Sequence, residues 1–248
     1  MKVFSVFGIT GSGKTTTIEK IITELRKRNY TVGSVKEIHF DKFAIDTVGT
    51  NTHRHKMAGS QLVTAKGYHE TDILFQESLP IEDIIKFYDY DYMVLEGTRD
   101  ANVPKIITAH TTAEVDERID ESVFLLSGRL GDQIDSYAGL DCISPFDDIE
   151  KIVDVIEEKV CEKLPNFPEK CCSECGLSCE KMLHAILKGE RERTDCKLGK
   201  HNVKLSIDGK EIPMVPFVEK ILENAIRGVV SELDGYKENG KIEINLGM

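Results

Sequence analysis

Residues 8–17 read GITGSGKTTT, and within them Gly8, Gly13, Lys14 and Thr15 fit the spacing G-x-x-x-x-G-K-[ST]. Each residue type in that pattern answers a demand of phosphate chemistry. Glycines let backbone N–H groups turn inward around phosphate oxygens, and a helix starting at the lysine adds a favourable dipole. Lys14 is placed to reach the β- and γ-phosphates of a nucleoside triphosphate, and the Thr15 hydroxyl to ligate magnesium. The expected nucleotide-binding set is Gly8, Gly11, Ser12, Gly13, Lys14, Thr15 and Thr16. Further along, the apolar run Tyr92–Leu95 ends in Glu96-Gly97. A carboxylate at the carboxyl end of a strand sits where ligands gather in open α/β sheets. Glu96 is therefore expected to hold magnesium or orient water, with Lys14 as the other catalytic group. The segment DKFAIDTVGTNTHRHKMAGS, residues 41–60, reads as a substrate or switch loop; Asp46 is a candidate magnesium ligand, and Thr50 and Arg54 are candidate phosphate contacts. His39, His53 and His55 lack thiol or acidic companions at ligand spacing and read as surface or substrate-facing histidines.

A second group with chemical potential lies in CCSECGLSCEKMLHAILKGERERTDC, which holds five of the chain's seven cysteines. Counted from Cys172 the spacing is C-x2-C-x3-C-x16-C, so Cys172, Cys175, Cys179 and Cys196 form a candidate set of four thiolates, with Cys171 as an alternative ligand. Four thiolates hold an iron-sulfur cluster or a tetrahedral zinc. Zinc ribbons pair one C-x2-C with another, and this segment is asymmetric. Cys142 and Cys161 stand alone and read as small buried residues.

These groups need elements to position them. Val3–Phe7 is an apolar run, and Ile18, Ile21, Ile22 and Leu25 recur at helical spacing, so the phosphate loop joins a strand to a helix. VGSVKEIHF, PKIITA and SVFLLSG read as further strands and DDIEKIVDVIEEKV as a helix, the alternation of an α/β fold with a doubly wound, mostly parallel sheet. That domain is expected over residues 1–162, a linker over 163–170 around the prolines of KLPNFPEK, and a small α+β domain over 171–248. In the small domain EKMLHAILKG reads as a helix, VKLSIDGKEIPMVP as a hairpin turning at Asp208-Gly209, and PFVEKILENAIRGVVSEL as a helix with Pro216 at its start. Phe217, Ile221, Leu222, Ala225, Val229 and Leu233 give that helix an apolar stripe for a core or a docking face, and GKIEINL reads as a last strand.

The 248 residues carry a formal net charge of -11, which argues against nucleic acid as a partner, and no apolar run reaches the length of a membrane span. The opening MKVFSVFG shows no secretory pattern, so a cytoplasmic location is expected, where clustered cysteines serve as metal or redox groups more often than as disulfides.

GITGSGKTTTIEKIITEL, VGSVKEIHF, the loop AIDTVGTNTHRHKMAG, VLEG and PKIITA together resemble the molybdopterin-guanine dinucleotide biosynthesis protein B (MobB) family. The loop departs from the family's usual lysine and acid at Thr50 and Asn51. The resemblance implies a P-loop fold, GTP in preference to ATP, magnesium and weak GTP hydrolysis. It also implies a homodimer and assistance to a molybdopterin nucleotidyltransferase (MobA-like) or another molybdopterin-loaded protein. CGLSCEKMLHAILKGERERTDC is similar to the small [4Fe-4S] domain of Rnf-type electron-transfer subunits and corrinoid proteins, through Cys175-Gly176, Cys179, Ala185, Gly189 and Cys196. That likeness implies a cluster and leaves a second function open, a nucleotide-gated electron-transfer or metallocentre-activating protein.

Overall fold

The computed structural model describes residues 1–166, 175–196, 203, 205–207, 210–212, 214, 216–238, 240 and 242–244. The chain divides into two compact units, Met1–Lys163 and Leu164–Met248.

The first unit is built on a parallel sheet. β1 (Lys2–Gly8), β2 (Val32–Lys36), β5 (Tyr92–Glu96), β6 (Lys105–Thr108) and β7 (Val123–Ser127) line up in the order β2-β5-β1-β6-β7. All four neighbouring pairs are parallel. The near-continuous apolar character of β1, β5 and β7 is what a parallel sheet covered on both faces requires. Val3, Met93 and Leu95 pack with Ile81, Ile84 and Ile85 of helix α3 (Ile81–Ile85), and Phe7, Ile107 and Leu126 pack with Val115 of α4 (Thr112–Asp116). Phe4 and Val6, which alternate onto the opposite face, are also fully buried. Helix α1 (Lys14–Lys27) buries Ile18, Ile21 and Leu25, runs back along β1 and β5, and lies beside α5 (Ile149–Lys159). Arg28 joins the two helices, its guanidinium donating to Asp154 at 2.6 Å, Glu157 at 2.8 Å and the Glu150 carbonyl at 3.1 Å.

Three features depart from the sequence reading. The second strand stops at Lys36 rather than running through residue 40, because β5 ends at Glu96 and offers no further ladder partners. Glu37 donates its N–H to the Glu96 carbonyl at 2.9 Å, and the chain then leaves the sheet. The presumed loop 41–60 contains helix α2 (Asn51–Met57), capped by the Thr50 hydroxyl accepting from the His53 N–H; none of its residues is buried. Beyond it, β3 (Leu62–Lys66) and β4 (Thr71–Phe75) form an antiparallel hairpin apart from the main sheet, which the sequence reading lacked. A short ribbon, β8 (Ser136–Tyr137) with β9 (Leu140–Asp141), follows β7.

In the second unit, α6 (Cys179–Leu187) starts from Ser178, whose hydroxyl accepts the Lys181 N–H at 3.2 Å. Met182 and Leu183 of α6 form a small core with Leu164, and Cys175 and Cys196 pack against it. β10 (Leu205–Ile207) pairs antiparallel with β11 (Lys210–Ile212), and the expected turn dipeptide between them lies outside the described residues. Helix α7 (Pro216–Val230) begins at its proline. Its stripe is not core: Phe217 is 74% exposed and Val229 70%. Of the last strand expected over residues 240–246, the described residues 242–244 carry no strand, and half of the expected linker lies outside the described residues. Among the described residues no helix is long and apolar enough to cross a membrane.

Core and stripe should respond differently to truncation. Leu95 is fully buried on β5, an interior strand of the sheet, so Leu95→Ala is expected to cost about 2–5 kcal/mol, whereas Phe217→Ala should change stability by about 0.5 kcal/mol or less. Urea unfolding followed by circular dichroism measures both; equal midpoint shifts would contradict the assignment of the core.

Candidate functional site

Parallel pairing brings the carboxyl ends of all five central strands to one edge, and the strand order reverses direction about β1. A crevice outside such a switch point is where this architecture binds ligands. An open cavity of about 1060 Å³ lies there.

The loop between β1 and α1 forms its floor. Gly8 lies so close to β6 that an added Cβ would stand 2.0 Å from the Thr108 carbonyl oxygen. Gly11 (φ 76°) and Gly13 (φ 103°) are left-handed, and Gly13 caps α1. Only glycine takes those conformations without strain. Ser12 is fully buried: its hydroxyl meets the Ile9 carbonyl at 2.8 Å and the Thr108 hydroxyl at 2.7 Å, so it braces the loop and does not line the cavity. Gly8, Gly11, Gly13, Lys14, Thr15 and Thr16 do line it.

The Lys14 ammonium donates to the carbonyls of Gly8 at 2.9 Å and Ile9 at 2.5 Å. Burial lowers its pKa, the Glu96 carboxylate works against that shift, and the Lys36 ammonium adds to it. Glu96 stands at the end of β5, in register with Val6 of β1 and Lys36 of β2. Its Oε1 accepts from the Thr15 hydroxyl at 2.9 Å and from the Lys36 ammonium at 2.9 Å. A hydroxyl and a carboxylate oxygen converging beside a helix N-terminus are hard donors suited to magnesium.

Asp46, the other expected magnesium ligand, stands apart from this group and does not line the cavity. Its Oδ1 accepts from the Thr50 and Thr52 hydroxyls at 2.8 Å each, bonds that hold its carboxyl below the usual range and steady the start of α2. Its Oδ2 is enclosed and has no hydrogen-bond partner among the described residues. Thr50 and Arg54 likewise lie outside the cavity lining, as do His53 and His55, whereas His39 is on it.

The sequence reading missed the cavity's other wall. His110, just past β6, has Nδ1 3.3 Å from the Glu114 carboxylate and Nε2 3.1 Å from the Gly11 carbonyl oxygen. After β7, Gly128, Arg129, Asp132 and Gln133 line the cavity, joined by Phe146 from the approach to α5. None of these carries a recognisable spacing; the one available signal is that each follows a strand end.

Of the candidate cluster ligands, Cys171 and Cys172 lie outside the described residues. Cys175, Cys179 and Cys196 are of intermediate exposure, and among the described residues no group of three or more histidine, cysteine or acidic side chains is placed to hold a metal ion. The described thiols therefore do not make up a cluster site, and neither do they make up a zinc site. Cys142 is 3% exposed, and burial pushes its thiol up to about 11, whereas Cys161 is of intermediate exposure.

Residues 3–125 match the profile of the family described as molybdopterin guanine dinucleotide synthesis protein B. A Methanocaldococcus jannaschii relative, named provisionally as a molybdopterin-guanine dinucleotide biosynthesis adapter protein, is 29% identical over 254 aligned residues, spanning 99% of this chain and 97% of its own. The Haemophilus influenzae adapter protein of the same name is 30% identical over 110 residues, 42% of this chain and 61% of the relative. Among solved structures, Bacillus subtilis MobB aligns over its full length with 66% of this chain at a TM-score of 0.54 and 19% identity. The mostly parallel α/β sheet is thus the fold of MobB as well, and residues 3–125, the greater part of the phosphate-loop domain, are similar in sequence to the MobB family.

Proposed function

We propose that the first unit binds GTP with magnesium and that the chain serves as an adapter in molybdopterin-guanine dinucleotide biosynthesis, assisting a partner nucleotidyltransferase. The observation that carries the nucleotide reading is the convergence of Thr15 and Glu96, 2.9 Å apart, beside a left-handed glycine loop at the N-terminus of a long helix. The adapter role is supported by the likeness to the Methanocaldococcus relative over nearly the whole of both chains.

Each residue has a defined part. Backbone N–H groups of the loop and of the first turn of α1 receive phosphate oxygens. Lys14 neutralises charge between the outer phosphates, and its depressed pKa reflects a site whose partial burial strengthens that interaction. Thr15 and Glu96 would hold magnesium, which would supply charge neutralisation at the phosphates. Glu96 also orients a water for slow hydrolysis. Lys36 holds the carboxylate in place from the neighbouring strand.

Lys14→Ala is expected to weaken GTP binding by about ten- to a hundredfold, the worth of a charge-assisted hydrogen bond. Calorimetric titration measures it, and an unchanged affinity with an unchanged circular dichroism spectrum would overturn the phosphate-site reading. Glu96→Gln should leave magnesium-free GTP binding near its original strength while slowing hydrolysis about a hundredfold. Equal hydrolysis by the two proteins in a phosphate-release assay would remove Glu96 from that role.

For the second unit, a four-iron cluster has the spacing of Cys172, Cys175, Cys179 and Cys196 as its support and carries no step of this function. Protein purified without oxygen is expected to show about four irons and four sulfides per chain if that spacing governs. Zinc without sulfide, or neither metal, would exclude the cluster.

A further inference from the structure

The cavity extends well past the phosphate loop, and what surrounds its far part is built, not incidental. The segment after β7 is stitched to the loop: Arg129 donates its N–H to the Ser12 carbonyl at 3.1 Å, and Leu130 to the Ala109 carbonyl at 2.8 Å. Gly128 (φ 76°) comes so near that an added Cβ would stand 2.3 Å from the Ser12 carbonyl oxygen. Gln133 ties the same segment down through its amide, donating to the carbonyls of Arg129 at 3.0 Å and His110 at 3.1 Å.

Within this frame one buried hydroxyl sets two groups at once. Ser144, 3% exposed, donates to Asp132 Oδ1 at 2.6 Å and accepts the Phe146 N–H at 3.3 Å. Its donor and one of its acceptor positions are used, so it fixes a carboxylate and the backbone of an aromatic residue relative to each other. Both line the cavity. Phe146 remains 67% exposed, with the Lys20 ammonium 4.6 Å from its ring centre. An aromatic surface beside a fixed carboxylate, beyond a phosphate loop, has the chemistry of a purine site.

We propose that Asp132 reads the guanine edge and that Phe146 stacks on the base, both positioned by Ser144. This rests on the nucleotide reading above. Guanine presents two adjacent donors, N1–H and the exocyclic amine. An ionised carboxylate is acceptor-only and keeps free lone pairs on both oxygens even after Oδ1 has taken the Ser144 proton, so it satisfies both donors. Adenine presents a bare N1 acceptor at the same place, which leaves carboxylate lone pair facing lone pair. Selectivity for guanine thus arises without an N-K-x-D sequence, from groups brought together by the strand ends.

The test is competitive titration of the full chain, with magnesium, by GTP, ATP and xanthosine triphosphate. The parent protein should favour GTP over ATP by about ten- to a hundredfold, the worth of a bidentate base contact. Asp132→Asn should lower GTP affinity by a similar factor, leave ATP unchanged and raise xanthosine triphosphate, because a carboxamide accepts from N1–H and donates to the C2 carbonyl of xanthine. That gain cannot come from misfolding. Phe146→Ala should weaken GTP and ATP alike, by about tenfold. Equal parental affinity for GTP and ATP, or an Asp132→Asn protein weakened uniformly for all three nucleotides, overturns base reading and leaves the phosphate site standing. Failure of the parent to bind any triphosphate overturns the nucleotide reading itself.

Discussion

The Ser12 side chain points into the protein, and much of the site follows from its doing so. Its hydroxyl pairs with Thr108 and its carbonyl accepts from Arg129, so the loop proposed to receive phosphate is clamped to the ends of β6 and β7. Gly8 and Gly128 are what make the clamp sterically possible, since any side chain at either would overlap a backbone carbonyl. A phosphate loop depends on donors held in place before the ligand arrives, because reorganisation at binding would consume the interaction energy. Here that organisation is inherited from the sheet.

Electrostatics complete what the backbone begins. The chain carries a formal charge of -11, yet Lys14, Lys36 and Arg129 all border the cavity. A local positive field inside an acidic protein selects a small polyanion while discouraging long ones such as nucleic acid. Glu96 tempers the two lysines, and under the proposed function it would also offer a divalent cation a carboxylate.

The parts of this arrangement legible in the sequence were those with local periodicity or fixed spacing. The loop motif, the apolar strands and Glu96 at a strand end all belong to that class. Asp46 was legible as an acid in a polar loop, but its Thr50 and Thr52 partners show that it also serves the start of α2, a helix hidden because none of its residues is buried and no apolar period marks it. The β3–β4 hairpin likewise lacked a favoured turn dipeptide. Asp132, Ser144 and Phe146 could not be read at all, because what relates them is a hydroxyl shared across a dozen residues of chain, not a spacing. In the second unit the cysteines were conspicuous by count, yet the described thiols do not gather into a ligating group.

The tie between Arg129 and Ser12 has a consequence for how such a protein can diverge. Connecting segments ordinarily drift in length, since surface loops absorb insertions at little thermodynamic cost. The segment after β7 has no such latitude. Backbone bonds from Arg129 and Leu130 fix its first residues, and Gln133 fixes the next turn, so one inserted residue would displace Asp132 along with them. The segment is therefore a gauge block between two ends of the proposed ligand site: its length is fixed by backbone bonds, and its composition by Gly128 and Gln133.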